Sequence, residues 1–202
     1  MMQKIAFYDF DDTLLPYDSM ARLVAYGLKR KPWLIYRLLP LLLYALAYGL
    51  HLISFRPLKQ QILFPLKYLD EKELEDFYTQ VLIPRYYPNV VATLQKHHQE
   101  GYFCVLVSAS PESYLKYTDL PFDLVIGTQM AEHSNQMISP NCKGEEKVVR
   151  IQNALRERQI EIDYDRSYAY SDSDSDLPML LLVKNRIRVV KHSGKMIPFE
   201  TK

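Results

Sequence analysis

The chain has 202 residues, 48% of them hydrophobic and 24% charged, with a formal net charge of +1. That is enough apolar material for one packed domain and too much for disorder, and the near-neutral balance excludes a whole-chain electrostatic case for nucleic acid. Cys104 and Cys142 lack metal-ligand spacing and read as free thiols, and the amino-terminal apolar run is too short for a signal peptide, so a cytoplasmic protein is expected.

In chain order, "KIAFYDF" (residues 4–10) has no polar alternation and predicts a strand buried on both faces. It runs into Asp9, Asp11 and Asp12, three carboxylates within four positions that repel one another unless something neutralises them. Residues 18–30 predict a helix capped by Asp18 or Ser19. Residues 38–55 then contain no Asp, Glu, Lys or Arg, which reaches the length of a membrane span. A single crossing would put Asp9 and Ser108 on opposite sides of the membrane. Pro40 and Gly49 punctuate the run, so two short helices in a hairpin are expected. A helix follows Asp70 as cap. After Pro88 the pattern alternates: the helix "NVVATLQKHHQEG", the strand "YFCVLVSAS", a short helix from Pro111 and the strand "FDLVIGT". A small hairpin over residues 129–139, the helix "KGEEKVVRIQNALRERQ", the strand "RSYAYS", the helix "DSDLPMLLLV" and the strand "RIRVV" complete the chain. The "HH" of His97 and His98 falls on a polar helix face and is expected in solvent.

Strands alternating with helices imply an α/β fold, a doubly wound and mostly parallel Rossmann-like sheet. Ligands sit beyond the carboxyl ends of such strands. Three predicted strand ends carry "DFDDT", "SAS" and "SDSDSD". Asp9 and Asp11 from the first and Asp172, Asp174 and Asp176 from the last are tolerable together if a hard cation lies among them, and oxygen-only ligation points to magnesium. Two positions apart on a strand, Asp9 and Asp11 are expected to start on one side of it, so that both reach one phosphorus. Ser108 and the backbone N–H groups after it offer an anion cradle, and a lysine from "KGEEK" supplies positive charge. Together these are the parts of a phosphoryl-transfer site.

With these four segments in this order, the chain outside roughly residues 15–87 resembles the haloacid dehalogenase superfamily, in its phosphoserine-phosphatase-like subgroup. The resemblance implies Asp9 as the nucleophile that forms an aspartyl-phosphate and Asp11 as the general acid and base. It implies Ser108 and the Ala109 N–H as phosphate-binding groups. For the third motif Lys143 and Lys147 both remain candidates, with "C-x-G-x-E-K-V" favouring Lys147 as a catalytic and phosphate-binding lysine, and Ile151 packing inward. Asp9, Asp11, Asp172 and Asp176 are the implied magnesium set, Asp172 touching the ion and Asp176 acting through water. Thr13 is expected to brace the loop. Asp12 stands where the family often has glycine, and Asp174 reads as a loop or capping residue.

The resemblance also divides the chain into a phosphatase core, residues 1–14 plus 88–202, and an all-helical cap, residues 15–87. Its apolar stretch is similar to that of the phosphatidylglycerophosphatase C branch, which acts on a lipid head-group phosphate. The substrate is therefore expected to be a phosphorylated lipid such as phosphatidylglycerophosphate, or else a soluble phosphorylated small molecule. A phosphotransferase and a non-catalytic phosphate-binding module are the other readings. Lys29, Arg30, Lys31, Arg56 and Lys59 flank the apolar run, which suits peripheral contact of residues 33–55 with an anionic membrane, at its cytoplasmic face. A hairpin buried in the cap is the alternative.

Overall fold

The structure is a computed structural model that describes residues 2–200. The elements run β1 (Met2–Gln3), β2 (Ile5–Tyr8), α1 (Ser19–Arg30), α2 (Leu38–Gly49), α3 (Phe55–Ile62), α4 (Glu71–Phe77) and α5 (Pro88–Gln99). They continue with β3 (Phe103–Pro111), α6 (Glu112–Leu115), β4 (Leu124–Thr128), α7 (Glu145–Glu157), β5 (Glu161–Ile162), β6 (Tyr168–Ser171), α8 (Leu177–Leu180), β7 (Asn185–Val190) and β8 (Lys195–Pro198). Six strands form one sheet in the order β4-β3-β2-β6-β7-β8. All neighbours are parallel except β7 and β8. The expected doubly wound α/β fold is present. The antiparallel β8 was not foreseen.

β2 lies at the centre, paired on both edges and buried at every position. Its side chains alternate between two apolar cores. Ala6 and Tyr8 join one with Leu66, Phe77 and Tyr114, while Ile5 and Phe7 join the other with Val105, Ile151 and Met179. The first core thus draws on the helices between β2 and β3 as well as the sheet. Those helices leave and return at one place, where the Tyr87 N–H donates to the Leu14 carbonyl at 2.9 Å. Asp18 caps α1 through Met20 and Ala21, and Asp70 forms a reciprocal capping box with Glu73 on α4.

Several expectations change. The first strand ends at Tyr8, so Asp9 and Asp11 lie in the turn after it, and strand alternation does not set their directions. Residues 38–55 hold one helix, not two. Pro40 is the third residue of α2, close behind the 3-10 turns of Pro32–Arg37, and the helix passes over it. The second arm of the hairpin is α3, which contains Arg56 and Lys59. Residues 129–139 form only a single bridge, Met130 to Met137. The predicted helix after Asp172 shortens to a turn and the four residues of α8. His97 is buried, not solvated: its ring packs against Tyr102 and Tyr168 and its Nε2 lies 2.9 Å from the Tyr170 hydroxyl. Cys104 and Cys142 are free and buried.

Candidate active site

The carboxyl ends of β2, β3 and β6 converge on a pocket of about 210 Å³. Asp9, Asp11, Ser108, Ala109, Lys143, Lys147, Asp172 and Asp176 all line it, joined by Lys59 and Asn141. Each predicted site residue is therefore in one place.

The first motif is a tight turn. Thr13, Leu14 and Leu15 all return their N–H groups to the Phe10 carbonyl. Asp12 holds φ 57°, the left-handed conformation that glycine adopts at least cost, which accounts for the residue type expected there. It also pairs with Lys191 at 2.8 Å. The turn leaves Asp9 almost fully buried. Its Oδ1 accepts from Lys147 Nζ at 2.6 Å and its Oδ2 from the Thr13 hydroxyl at 3.3 Å. That hydroxyl also lies 3.3 Å from Asp172 Oδ1 and accepts from the Asp172 N–H at 3.0 Å, so Thr13 ties the first motif to the fourth.

Lys147 sits on the inward face of α7, with Ile151 buried one turn later. Its ammonium reaches Asp176 Oδ2 at 2.8 Å as well as Asp9. Lys143 is exposed at the rim. The Ser171 hydroxyl holds the same Asp176 oxygen at 2.8 Å, fixing the carboxylate that in turn fixes the lysine. Asp172 pairs with Lys191 at 3.0 Å. Asp174 points out to Arg188, and the cap of its turn is Ser173, not Asp174.

Asp11 is set differently. Its Oδ1 accepts from the Ser19 N–H at 2.6 Å and its Oδ2 from the Ser110 hydroxyl at 2.6 Å. Ser19 opens α1, so the carboxylate also faces the positive end of that helix. Burial still dominates and pushes Asp11 up to about 6, with Asp18 adding to it and the Ser110 and Ser19 bonds opposing. Burial likewise drives Asp9 up, to about 8, against the pull of Lys147.

The second motif depends on a bulge. Val107 pairs with Ile126 and Pro111 with Thr128, so three residues of β3 face one of β4. The three are Ser108, Ala109 and Ser110; the one is Gly127. A side chain at Gly127 would come within 2.8 Å of the Ser110 carbonyl, so the bulge needs glycine opposite it. Ser108 is buried, its hydroxyl accepting from the Ser110 N–H at 2.9 Å.

Lys59 was not foreseen as a site residue. Expected on the basic flank of the apolar run, it is fully buried between α3 and the sheet. Its Nζ donates to the Ala109 carbonyl at 2.6 Å and to Asn141 Oδ1 at 2.5 Å. It thereby joins α3 to the bulge of β3 and to the segment between β4 and α7. Burial lowers its pKa to about 8, Asp11 opposing. A lysine in an amphipathic "FRPLKQQI" helix gives no local sign of this; its partners lie 50 and 82 positions away.

Between β2 and α8 the sequence matches the haloacid dehalogenase-like hydrolases over residues 6–181. The chain belongs to this family. No curated protein matches it. Among solved structures, this haloacid dehalogenase-like hydrolase is similar to a protein with unknown function from Bordetella pertussis Tohama I, with a TM-score of 0.78 and 22% identity over 93% of this chain and 90% of that one. It is similar to a substrate-bound phosphoserine phosphatase, with a TM-score of 0.65 and 13% identity over 96% and 90%. A phosphoserine phosphohydrolase-like protein from Francisella tularensis gives 0.58 and 15% over 92% and 87%. At these identities the likeness shows the fold.

Proposed function

We propose that the protein is a magnesium-dependent phosphate monoester hydrolase that works through a phosphoenzyme at Asp9. The observation that carries the reading is the buried Asp9 carboxylate held by Lys147 and Thr13, with a second carboxylate, Asp11, separately braced by Ser19 and Ser110. In the first step an Asp9 oxygen attacks phosphorus and the ester P–O bond breaks. Asp11, protonated, gives its proton to the departing alcohol oxygen. In the second step the Asp11 carboxylate takes a proton from water as that water attacks phosphorus. The acyl-phosphate P–O bond breaks, and phosphate leaves with Asp9 restored. Ser108 and the Ala109 N–H bind the non-bridging oxygens, and Lys147 balances their charge.

The donor set suits magnesium. Asp9, Asp172 and Asp176 are buried carboxylates brought together by Thr13 and Lys147, an oxygen-only donor set of the kind a hard cation takes. They would hold the ion. Asp11, included with them from the sequence, has both oxygens engaged by Ser19 and Ser110 and suits proton transfer. When bound, magnesium neutralises charge on the phosphoryl group.

For the substrate we favour a lipid head-group phosphate, such as phosphatidylglycerophosphate, over a soluble one. Phe55, the last residue of the uncharged run, lines the pocket beside Asp9 and Asp11. Phosphate release from matched lipid and soluble monoesters tests this. A kcat/KM higher for phosphoserine than for the lipid would reverse the choice, and no turnover of any ester, p-nitrophenyl phosphate included, would remove the hydrolase reading.

A further inference from the structure

The hairpin of α2 and α3 is covered on one side only. No residue of α2 is buried. Trp33, Ile35, Leu39, Leu42, Leu43 and Leu46 each leave more than half their surface in water, and Leu50 and Leu52 at the tip are 69% and 73% exposed. Single exposed apolar side chains are ordinary, but a contiguous set of this size marks an interaction surface.

Charge identifies what covers it. Residues 19–69 contain eight Lys and Arg and no Asp or Glu, while the rest of the chain holds 17 Lys and Arg against 24 Asp and Glu. One of the eight, Lys59, turns inward. Lys29, Arg56 and Lys67 are exposed, and among the described residues Lys29 and Lys67 have no carboxylate partner. A second copy docked cap to cap would set this positive surface against another. An anionic surface complements it.

Tethering at both ends decides how the hairpin meets that surface. The stretch Pro32–Gly49 has a mean hydropathy of 1.2 and is 6% buried. The 3-10 turns of Pro32–Arg37 and the 12 residues of α2 together rise ~30 Å, about the thickness of a hydrocarbon core, but the start of the stretch is anchored in the protein by the buried Leu34. Beyond the tip, α3 returns at once to the catalytic core through Lys59 and Ala109. The hairpin therefore dips and does not cross. Trp33, Tyr36, Tyr44 and Tyr48, all exposed, are of the type that settles at the head-group level. The surface ends at Phe55, which packs on Tyr48 and lines the catalytic pocket.

We propose that the α2–α3 hairpin is a docking surface for an anionic phospholipid bilayer, which seats the mouth of the Asp9 pocket against the membrane. Its catalytic consequence, delivery of a lipid phosphate, rests on the hydrolase reading; the docking itself does not. The full chain is mixed with vesicles of phosphatidylcholine alone, or of equal parts phosphatidylcholine and phosphatidylglycerol. Trp33 is the single tryptophan, so its emission reports the hairpin directly. The wild type should pellet with the mixed vesicles, less so in high salt, with Trp33 emission shifted to the blue. The double substitution Leu42→Asp/Leu46→Asp should weaken binding by about tenfold or more while p-nitrophenyl phosphate hydrolysis persists. Leu50→Asp/Leu52→Asp, at the most exposed positions, serves if the first pair impairs folding. A wild type that neither pellets nor shifts its emission overturns the proposal. So does binding that both pairs leave unchanged, or a wild-type dimer in sedimentation velocity that they abolish. Vesicle binding without any ester hydrolysis would contradict the hydrolase reading and leave the docking surface standing.

Discussion

The Ser110 hydroxyl donates to Asp11 Oδ2 at 2.6 Å, and both residues lie where helix α1 meets the bulge of β3. Replacing Asp11 by Asn keeps the side chain's shape and the Ser19 bond, reverses the Ser110 bond so that Nδ2 donates to the hydroxyl, and removes the transferable proton. Turnover should fall by roughly two to four orders of magnitude, the usual scale of general acid–base effects. Single-turnover formation of the phosphoenzyme should suffer least with p-nitrophenyl phosphate, whose leaving group needs little protonation. Equal losses for p-nitrophenyl and alkyl esters in that step would count against Asp11 as the acid.

Lys147 is buried between two carboxylates, and removing it leaves both without their counter-charge. Lys147→Met should destabilise the protein by about 3–5 kcal/mol in the absence of magnesium, the cost of breaking a buried pair from one side. Denaturant unfolding measures this. Lys143→Met, at the exposed rim, should change stability by less than about 0.5 kcal/mol. Similar effects from the two substitutions would mean that the buried pair is not formed in solution.

Asp172→Ala should weaken magnesium activation more than Asp174→Ala. The first carboxylate is buried beside Thr13 and Asp9, whereas the second is turned to Arg188 in solvent. A magnesium titration of both variants decides, and a larger effect at Asp174 would mean that the donor set is wrong.

Lys59 gives a pH signature. Burial lowers its pKa from 10.5 to about 8, so between those values the unfolded chain binds the proton that the folded chain has lost. Stability referred to this group therefore rises with pH across that window, by at most about 3 kcal/mol. Thermal unfolding of the wild type, compared with Lys59→Met from pH 8 to 10, should show the wild type gaining on the variant. A difference that stays flat would show Lys59 to be solvated.

Three of the four motifs were legible because each is a short segment at a strand end, and the third motif because its lysine opens an amphipathic helix with Ile151 one turn later. Asp9, Thr13, Ser108 and Asp172 are of the strand-end kind. The strand limit at Tyr8 was not legible, because nothing in "YDFDD" marks where the ladder stops and the turn begins. His97 was misjudged for a related reason. Its helix face looks polar, and only the approach of Tyr102, Tyr168 and Tyr170 buries it. Lys59 and Ser19 were missed because their partners come from other elements. The hairpin was legible as uncharged; that α2 buries nothing required the structure.

The proposed hydrolysis requires that Asp9 become phosphorylated. Acid quenching of the enzyme during turnover of p-nitrophenyl phosphate with magnesium, followed by digestion and mass spectrometry, tests it directly. The expected result is a phosphoryl adduct on the peptide that contains Asp9, absent in Asp9→Asn, with turnover lost in that folded variant. Wild-type turnover by Asp9→Asn, or an adduct confined to Ser108, would contradict it.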